Sequence, residues 1–167
     1  MKDIKVYLHL YIGCEVARKH DGGEVEYAKL VGICQSESEP DKTVSILDVG
    51  LDYFHEWYVE ETVPILRPLS DMTEEEMVEF VCLQHNSIHT NIDRTEITKI
   101  RWAYENSSNG INATWFKRCG TGASVGSKTF HINQSDPDQF KFLLSKGFDL
   151  FGLIDAGLAI NKAELKP

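Results

Sequence analysis

Pro64 and Pro68 stand four residues apart, and Thr73-Glu74-Glu75-Glu76 follows them closely. Each proline fixes φ and removes a backbone donor. Each also pushes its predecessor, Val63 or Arg67, towards extended geometry. Residues 63–69 therefore read as an extended edge segment rather than a central strand. Thr73 and Glu76 have the spacing of a capping box: the hydroxyl accepts from the third helical N–H, and the carboxylate returns to the amide of the cap. Glu74, Glu75 and Glu76 also lie at the positive end of the helix dipole. Within one stretch, 63–76, a β-rich half ends and a helix begins.

Before that switch the pattern is mostly one of strands. Residues 4–16 alternate strictly, with Ile4, Val6, Leu8, Leu10, Ile12, Cys14 and Val16 on one face. That is the period of a long strand with one buried face, and Gly13 marks a bulge or bend in it. His20-Asp-Gly-Gly-Glu24 has turn chemistry, so Val25–Cys34 is expected to return as the second strand of a hairpin. Residues 36–42 read as an exposed loop and 43–49 as a third strand. Residues 52–59 are aromatic-rich and suit a strand or a single helical turn.

After the switch, a helix is expected over 74–85, with Met77, Phe80, Val81 and Gln84 as its stripe. Ile97–Glu105 and Ile111–Cys119 flank Asn106-Ser-Ser-Asn-Gly110, a second hairpin. Gly120–Thr129 tempts a phosphate-loop reading, but Ser127 separates Gly126 from Lys128 and no helix follows, so a flexible glycine-rich connector to a strand over 127–132 is expected. Asp136, Pro137 and Gln139 read as cap, first helical residue and capping box of a second helix, with Phe140, Leu143 and Leu144 as its core face and Gly147 as its stop. A further helical turn, capped by Asp149 and stopped by Gly157, is expected after it. The fold class is α+β: antiparallel sheets, an SH3-like partial barrel being one form for the N-terminal part, and two main helices. A single domain over 1–167 is expected, with a β-rich region 1–69 and an α+β region 70–167.

Charge narrows the function. The net charge is −9, and residues 52–79 hold nine acids against one base, Arg67. An acidic chain repels phosphate backbones, so nucleic acid is a poor partner. No run approaches the ~20 apolar residues of a membrane-spanning helix. The N-terminus lacks the apolar segment of a signal peptide, and Cys14, Cys34, Cys82 and Cys119 are scattered without a CxxC motif, which together predict a cytoplasmic protein.

Four constellations merit weighing. Cys82, His85 and His89 fall at i, i+3, i+7, and the two histidines have the spacing of helical zinc ligands. The glutamate of an HExxH motif is missing, and a frayed helix end is the plainer reading. Arg101, Trp102, Tyr104 and Trp115 combine a cation with aromatics that can hold a base or nucleotide, against cross-strand aromatic pairing as the simpler account. Glu74, Glu75 and Glu79 form a candidate partner surface, although charge runs are usually solvated. His55 beside Glu56 suggests acid–base chemistry, but such pairs are far more often structural. No catalytic residue and no cofactor is expected, with zinc the one metal the residues suggest.

"PILRPLSDMTEEE" (64–76) and "LLSKGFDLFGLIDAGLAINK" (143–162) resemble a group of small uncharacterised proteins of Bacteroidetes phages and prophages, which share an "LRPLSD(L/M)T" stretch and a closing "FDxFGLIxAGLAIDK". "LYIGCEV" (10–16) and "AKLVGI" (28–33) resemble their opening strands more loosely. Asn161 departs from the aspartate of many relatives. The resemblance implies a phage or prophage origin and a bacterial host cytoplasm, and it brings no activity and no catalytic residues. Two function classes follow: a non-enzymatic accessory protein that binds a protein or small ligand, for instance to counter host defence, and a metal-dependent or nucleotide-handling enzyme.

Overall fold

A computed structural model describes residues 3–20, 24–39, 42–48, 54–83, 94–105, 110–119, 121–132 and 137–165. Among the described residues, nine strands and three α-helices give the α+β class, and every strand pair but one is antiparallel. The chain divides into two compact units, Met1–Pro68 with Leu144–Pro167, and Leu69–Leu143.

The first unit begins with a helix, not with the strand that the alternation of 4–16 predicts. Ile4–Tyr7 is α1, Leu8–Tyr11 continues as a 3-10 turn, and Asp3 caps the start by accepting from the Lys5 amide at 3.0 Å. The same residues satisfy two periods. Read at 3.6, Ile4, Tyr7, Leu8 and Tyr11 form one stripe. Leu8 and Tyr11 are fully buried, whereas Val6 and Ile12, which the strand reading buries, are 59% and 49% exposed. Gly13 then turns the chain at φ +98, a conformation that favours glycine.

The first strand is therefore β1, Glu15–Lys19, and it pairs with β2, Val25–Gln35, as the expected hairpin; residues 21–23 of its turn lie outside the described residues. Then come β3, Thr43–Asp48, β4, Phe54–Tyr58, β5, Val63–Leu66, and far along the chain the two-residue strand β9, Ile160–Asn161. The order β4-β3-β2-β1-β5-β9 is linear and does not itself trace an SH3-like partial barrel. Nor is β5 an edge: β1 pairs with it at Val63 and Pro64, and β9 pairs in parallel at Ile65 and Leu66. The β9 pairing starts just past Pro64, so that side of the ladder does not need the donor that proline lacks.

Leu8, Val16, Ala28, Leu30, Leu47, Trp57 and Val59 form one core cluster of this unit. Trp57 also takes the Arg18 guanidinium over its ring at 5.0 Å. Full burial of each large side chain is worth about 1.5–3 kcal/mol. A second cluster joins Tyr11, Cys14, Leu66 and Leu153, residues from three distant stretches of the chain. The segment after Gly147 is a series of turns rather than a helix, since Gly152 and Gly157 both have positive φ. Asp149 organises it, accepting from the amides of Phe151, Leu153 and Ile154.

The second unit opens with the expected capping box. The Glu76 amide donates to Thr73 Oγ1 at 3.2 Å, and the Thr73 amide donates to Glu76 Oε2 at 2.9 Å. Helix α2, Glu74–Leu83, buries Met77, Phe80 and Val81; Gln84 lies outside the described residues. Strands β6, Ile97–Glu105, β7, Gly110–Cys119, and β8, Gly122–His131, form an antiparallel sheet in chain order. The glycine-rich stretch is thus mostly strand, not connector: β8 pairs with β7 from Gly122↔Cys119 to His131↔Gly110. Its glycine content answers a packing need, because a Cβ on Gly126 would stand 2.5 Å from Trp115 Nε1. Helix α3, Pro137–Ser145, buries Gln139, Phe142 and Leu143, so Phe142 takes the core place expected of Phe140. Gln139 does not close a capping box. Its Nε2 donates to the Phe80 carbonyl of α2 at 2.9 Å, and Asp136 lies outside the described residues.

Candidate functional site

A concavity of the first unit surrounds the bend at Gly13. One cleft, of about 170 Å³, is lined by Gly13, Cys14 and Glu15, by Ile65 and Arg67, by Ser145, Lys146 and Gly147, and by Lys162. Every one of these residues lies within 10–16, 64–76 or 143–162. Backbone pairing brings them together. The Arg67 amide donates to the Gly147 carbonyl at 2.8 Å, and the Asp149 amide donates to the Arg67 carbonyl at 2.8 Å. Ile65 and Leu66 pair with Ile160 and Asn161. The Arg67 guanidinium rests over the Phe148 ring at 4.6 Å. Gly147, at φ +72, is close enough that a Cβ would meet Cys14 Sγ at 3.7 Å.

The cleft is positive in a negative protein. Arg67, Lys146 and Lys162 face it against one carboxylate, Glu15. Lys162 Nζ stands 2.6 Å from Glu15 Oε2, an exposed ion pair that ties the end of the chain to β1. Cys14 is a poor nucleophile here. Burial pushes its thiol pKa up, with Lys162 acting in the opposite sense, and Sγ donates to the Leu144 carbonyl at 3.4 Å. A second, larger cleft of about 440 Å³ adjoins the first, sharing Gly13, Glu15 and Ile65 and adding Tyr27, Ala28, Lys29, Asp48 and Leu165.

The residues singled out from sequence fall elsewhere. Trp102, Tyr104 and Trp115 share one face of the β6–β8 sheet, with Trp115 buried and the other two half-buried. Arg101, one residue from Trp102, is exposed on the opposite face, so the cation and the aromatics do not form one site. Cross-strand packing accounts for the aromatics: Trp115 lies opposite Ile100 on β6 and Gly126 on β8. His55 and Glu56 likewise point to opposite faces of β4. Cys82 is half-buried on α2, while His85 and His89 lie outside the described residues. Among the described residues, no group of three or more His, Cys, Asp and Glu side chains is placed to hold a metal. Glu74 and Glu75 are exposed in the first turn of α2, and Glu79 is half-buried. Among the described residues, no helix is long and apolar enough to cross a membrane.

The cleft residues carry no local motif. Gly13, Arg67, Lys146 and Lys162 are separated by up to 149 positions, and only strand pairing makes them neighbours. No protein-family model matches the chain, and neither a curated protein nor a solved structure is found similar to it.

Proposed function

We propose that this chain is a non-enzymatic accessory protein of phage or prophage origin that binds a small anion-bearing ligand in a bacterial host cytoplasm, there to modify host physiology or defence. The observation that carries the reading is the smaller cleft. Three cationic side chains, Arg67, Lys146 and Lys162, line a concavity with a single carboxylate in a chain of net charge −9. Charge of the minority sign, gathered into a concavity, favours capture of the opposite charge. Arg67 is suited to forked recognition of a carboxylate or phosphate, and the two lysines supply point charges. The origin rests on the resemblance of the stretches that line the cleft.

The test is a thermal-shift and calorimetric titration with inorganic phosphate and citrate. Either anion should raise the melting temperature in proportion to its occupancy, and Lys146→Glu should abolish the shift. If neither anion at millimolar concentration changes the melting temperature or evolves heat, the reading is wrong.

A further inference from the structure

One face of the β6–β8 sheet is packed and the other is open. Trp115 and Phe130 are buried on the packed face, where Phe130 meets Phe80 of α2 at 5.2 Å between ring centroids. Residues one place along each strand point the other way. On that open face Lys99 lies opposite Phe116, and Phe116 lies opposite Val125. In the next row Arg101 lies opposite Thr114, whose hydroxyl stands 3.2 Å from that of Ser127. On the other side of Phe116, two places along β7, comes Arg118, opposite Ala123. Arg101 thus has an aromatic neighbour on its own face, Phe116.

Phe116 is half-buried, and Lys99, Arg101, Arg118 and Val125 around it are exposed. Glu96 pairs with Lys117, which belongs to the packed face, and no carboxylate among the described residues pairs with Lys99, Arg101 or Arg118. Glu105 is the one acid of these three strands. It stands four residues beyond Arg101, about 13 Å along β6. Screening confines charge effects to about 8 Å at physiological salt. A group bound at Phe116 therefore meets three cations, although the chain as a whole carries −9.

We propose that this open face binds single-stranded nucleic acid. One base stacks on Phe116, and Lys99, Arg101 and Arg118 take the phosphates on either side of it. An accessible ring among cations is the platform an unpaired base uses, and it tolerates any sequence because every base has a π-face. A duplex hides its base faces, and its major groove admits a helix or a two-stranded ribbon, whereas this sheet has three strands. An acidic peptide would meet the cations and leave Phe116 unused. The face belongs to the second unit, and the residues of the anion cleft belong to the first.

Fluorescence anisotropy with labelled oligothymidylate and oligouridylate of about ten nucleotides tests this. At least one should bind at low salt. The logarithm of its association constant should fall with that of salt concentration at a slope of about −2, as three phosphate contacts imply for a single strand. Phe116→Leu should weaken binding about tenfold and leave that slope unchanged. Lys99→Gln, Arg101→Gln and Arg118→Gln together, all at exposed positions, should remove binding without moving the melting temperature. No binding of either oligonucleotide to the intact protein would overturn the proposal. So would undiminished binding by Phe116→Leu, or equal affinity for a duplex of the same length or for polyglutamate. Binding lost in Lys146→Glu but kept in the triple variant would place the strand in the anion cleft and overturn it as well.

Discussion

The indole of Trp115 occupies the space in which Gly126 lacks a side chain. A Cβ on that glycine would lie 2.5 Å from Nε1 and 2.7 Å from Cζ2 of the ring. The two residues face each other across β7 and β8. Gly126→Ala must therefore move a buried ring or bend the strand, and overpacking of this kind costs about 1–3 kcal/mol. Urea denaturation should register that loss. In a Trp115→Leu background the same substitution should cost much less, because the ring it strikes is gone. Equal costs in both backgrounds would show that the glycine serves the backbone rather than the tryptophan.

The Thr73–Glu76 capping box makes a local prediction. Thr73→Ala leaves the Glu76 amide without its side-chain acceptor and should cost about 1 kcal/mol in denaturant titration. Glu76→Ala removes the reciprocal bond and also one acid from the positive end of the dipole. The double substitution should cost less than the sum of the two, since each bond holds the other in place.

Asp149 should matter more than its half-buried position suggests. Its carboxylate accepts from three backbone amides, at 3.2, 2.9 and 2.9 Å. Asp149→Ala leaves three donors to find water or remain unpaired, at about 1–3 kcal/mol for the site. Hydrogen exchange should show faster exchange at Phe151, Leu153 and Ile154. Unchanged rates at those amides would mean that the turn holds without the carboxylate.

The first unit should lose stability in alkali. Burial is the main cause that raises the Tyr11 phenol well above its ordinary value of 10.0, with the hydrogen bond from the Leu150 amide acting the other way. Burial likewise raises the Cys14 thiol above 9.0. Both groups are acids whose proton leaves the unfolded chain first. The unfolded state then binds fewer protons than the folded one, and stability falls as pH rises. The decline should begin near pH 9 and steepen above pH 10. Tyr11→Phe should flatten the steeper part, and Cys14→Ala the earlier part. A melting temperature that does not change between pH 8 and 11 would contradict the assignment.

Where one short segment contains its own answer, sequence reading and structure agree. The capping box needs only Thr73 and Glu76. The hairpins of β1 with β2 and of β6 with β7 need only turn chemistry between alternating runs. The segment 4–16 misleads because two periods fit it, and the choice is made elsewhere. Tyr7 and Tyr11 pack against Phe151, with ring centroids 5.0 and 6.3 Å away, and that partner selects the helical stripe. The glycine-rich run misleads for a similar reason. Flexibility is the usual meaning of glycine, and only the tryptophan across the sheet gives Gly126 its packing role.

Arg101 and the aromatics Trp102, Tyr104 and Trp115 lie on opposite faces of their sheet, since neighbours along a strand face opposite ways. The candidate cleft was out of reach of local reasoning. Its residues enter from the Gly13 bend, from the end of β5, and from the segments around Gly147 and Lys162.

The amino-acid sequence by itself determined the α+β class, the start of α2, the hairpins and the acidic character of the chain, because each depends on residues within hydrogen-bonding or pleat distance of one another. Tertiary structure alone decided that the first residues are helical, that Pro64 lies within a sheet rather than at its edge, and that Arg67, Lys146 and Lys162 share a cleft with Glu15. These outcomes depend on which distant surface covers a face and which strand claims a free ladder, and burial chooses between local patterns that are otherwise equally good.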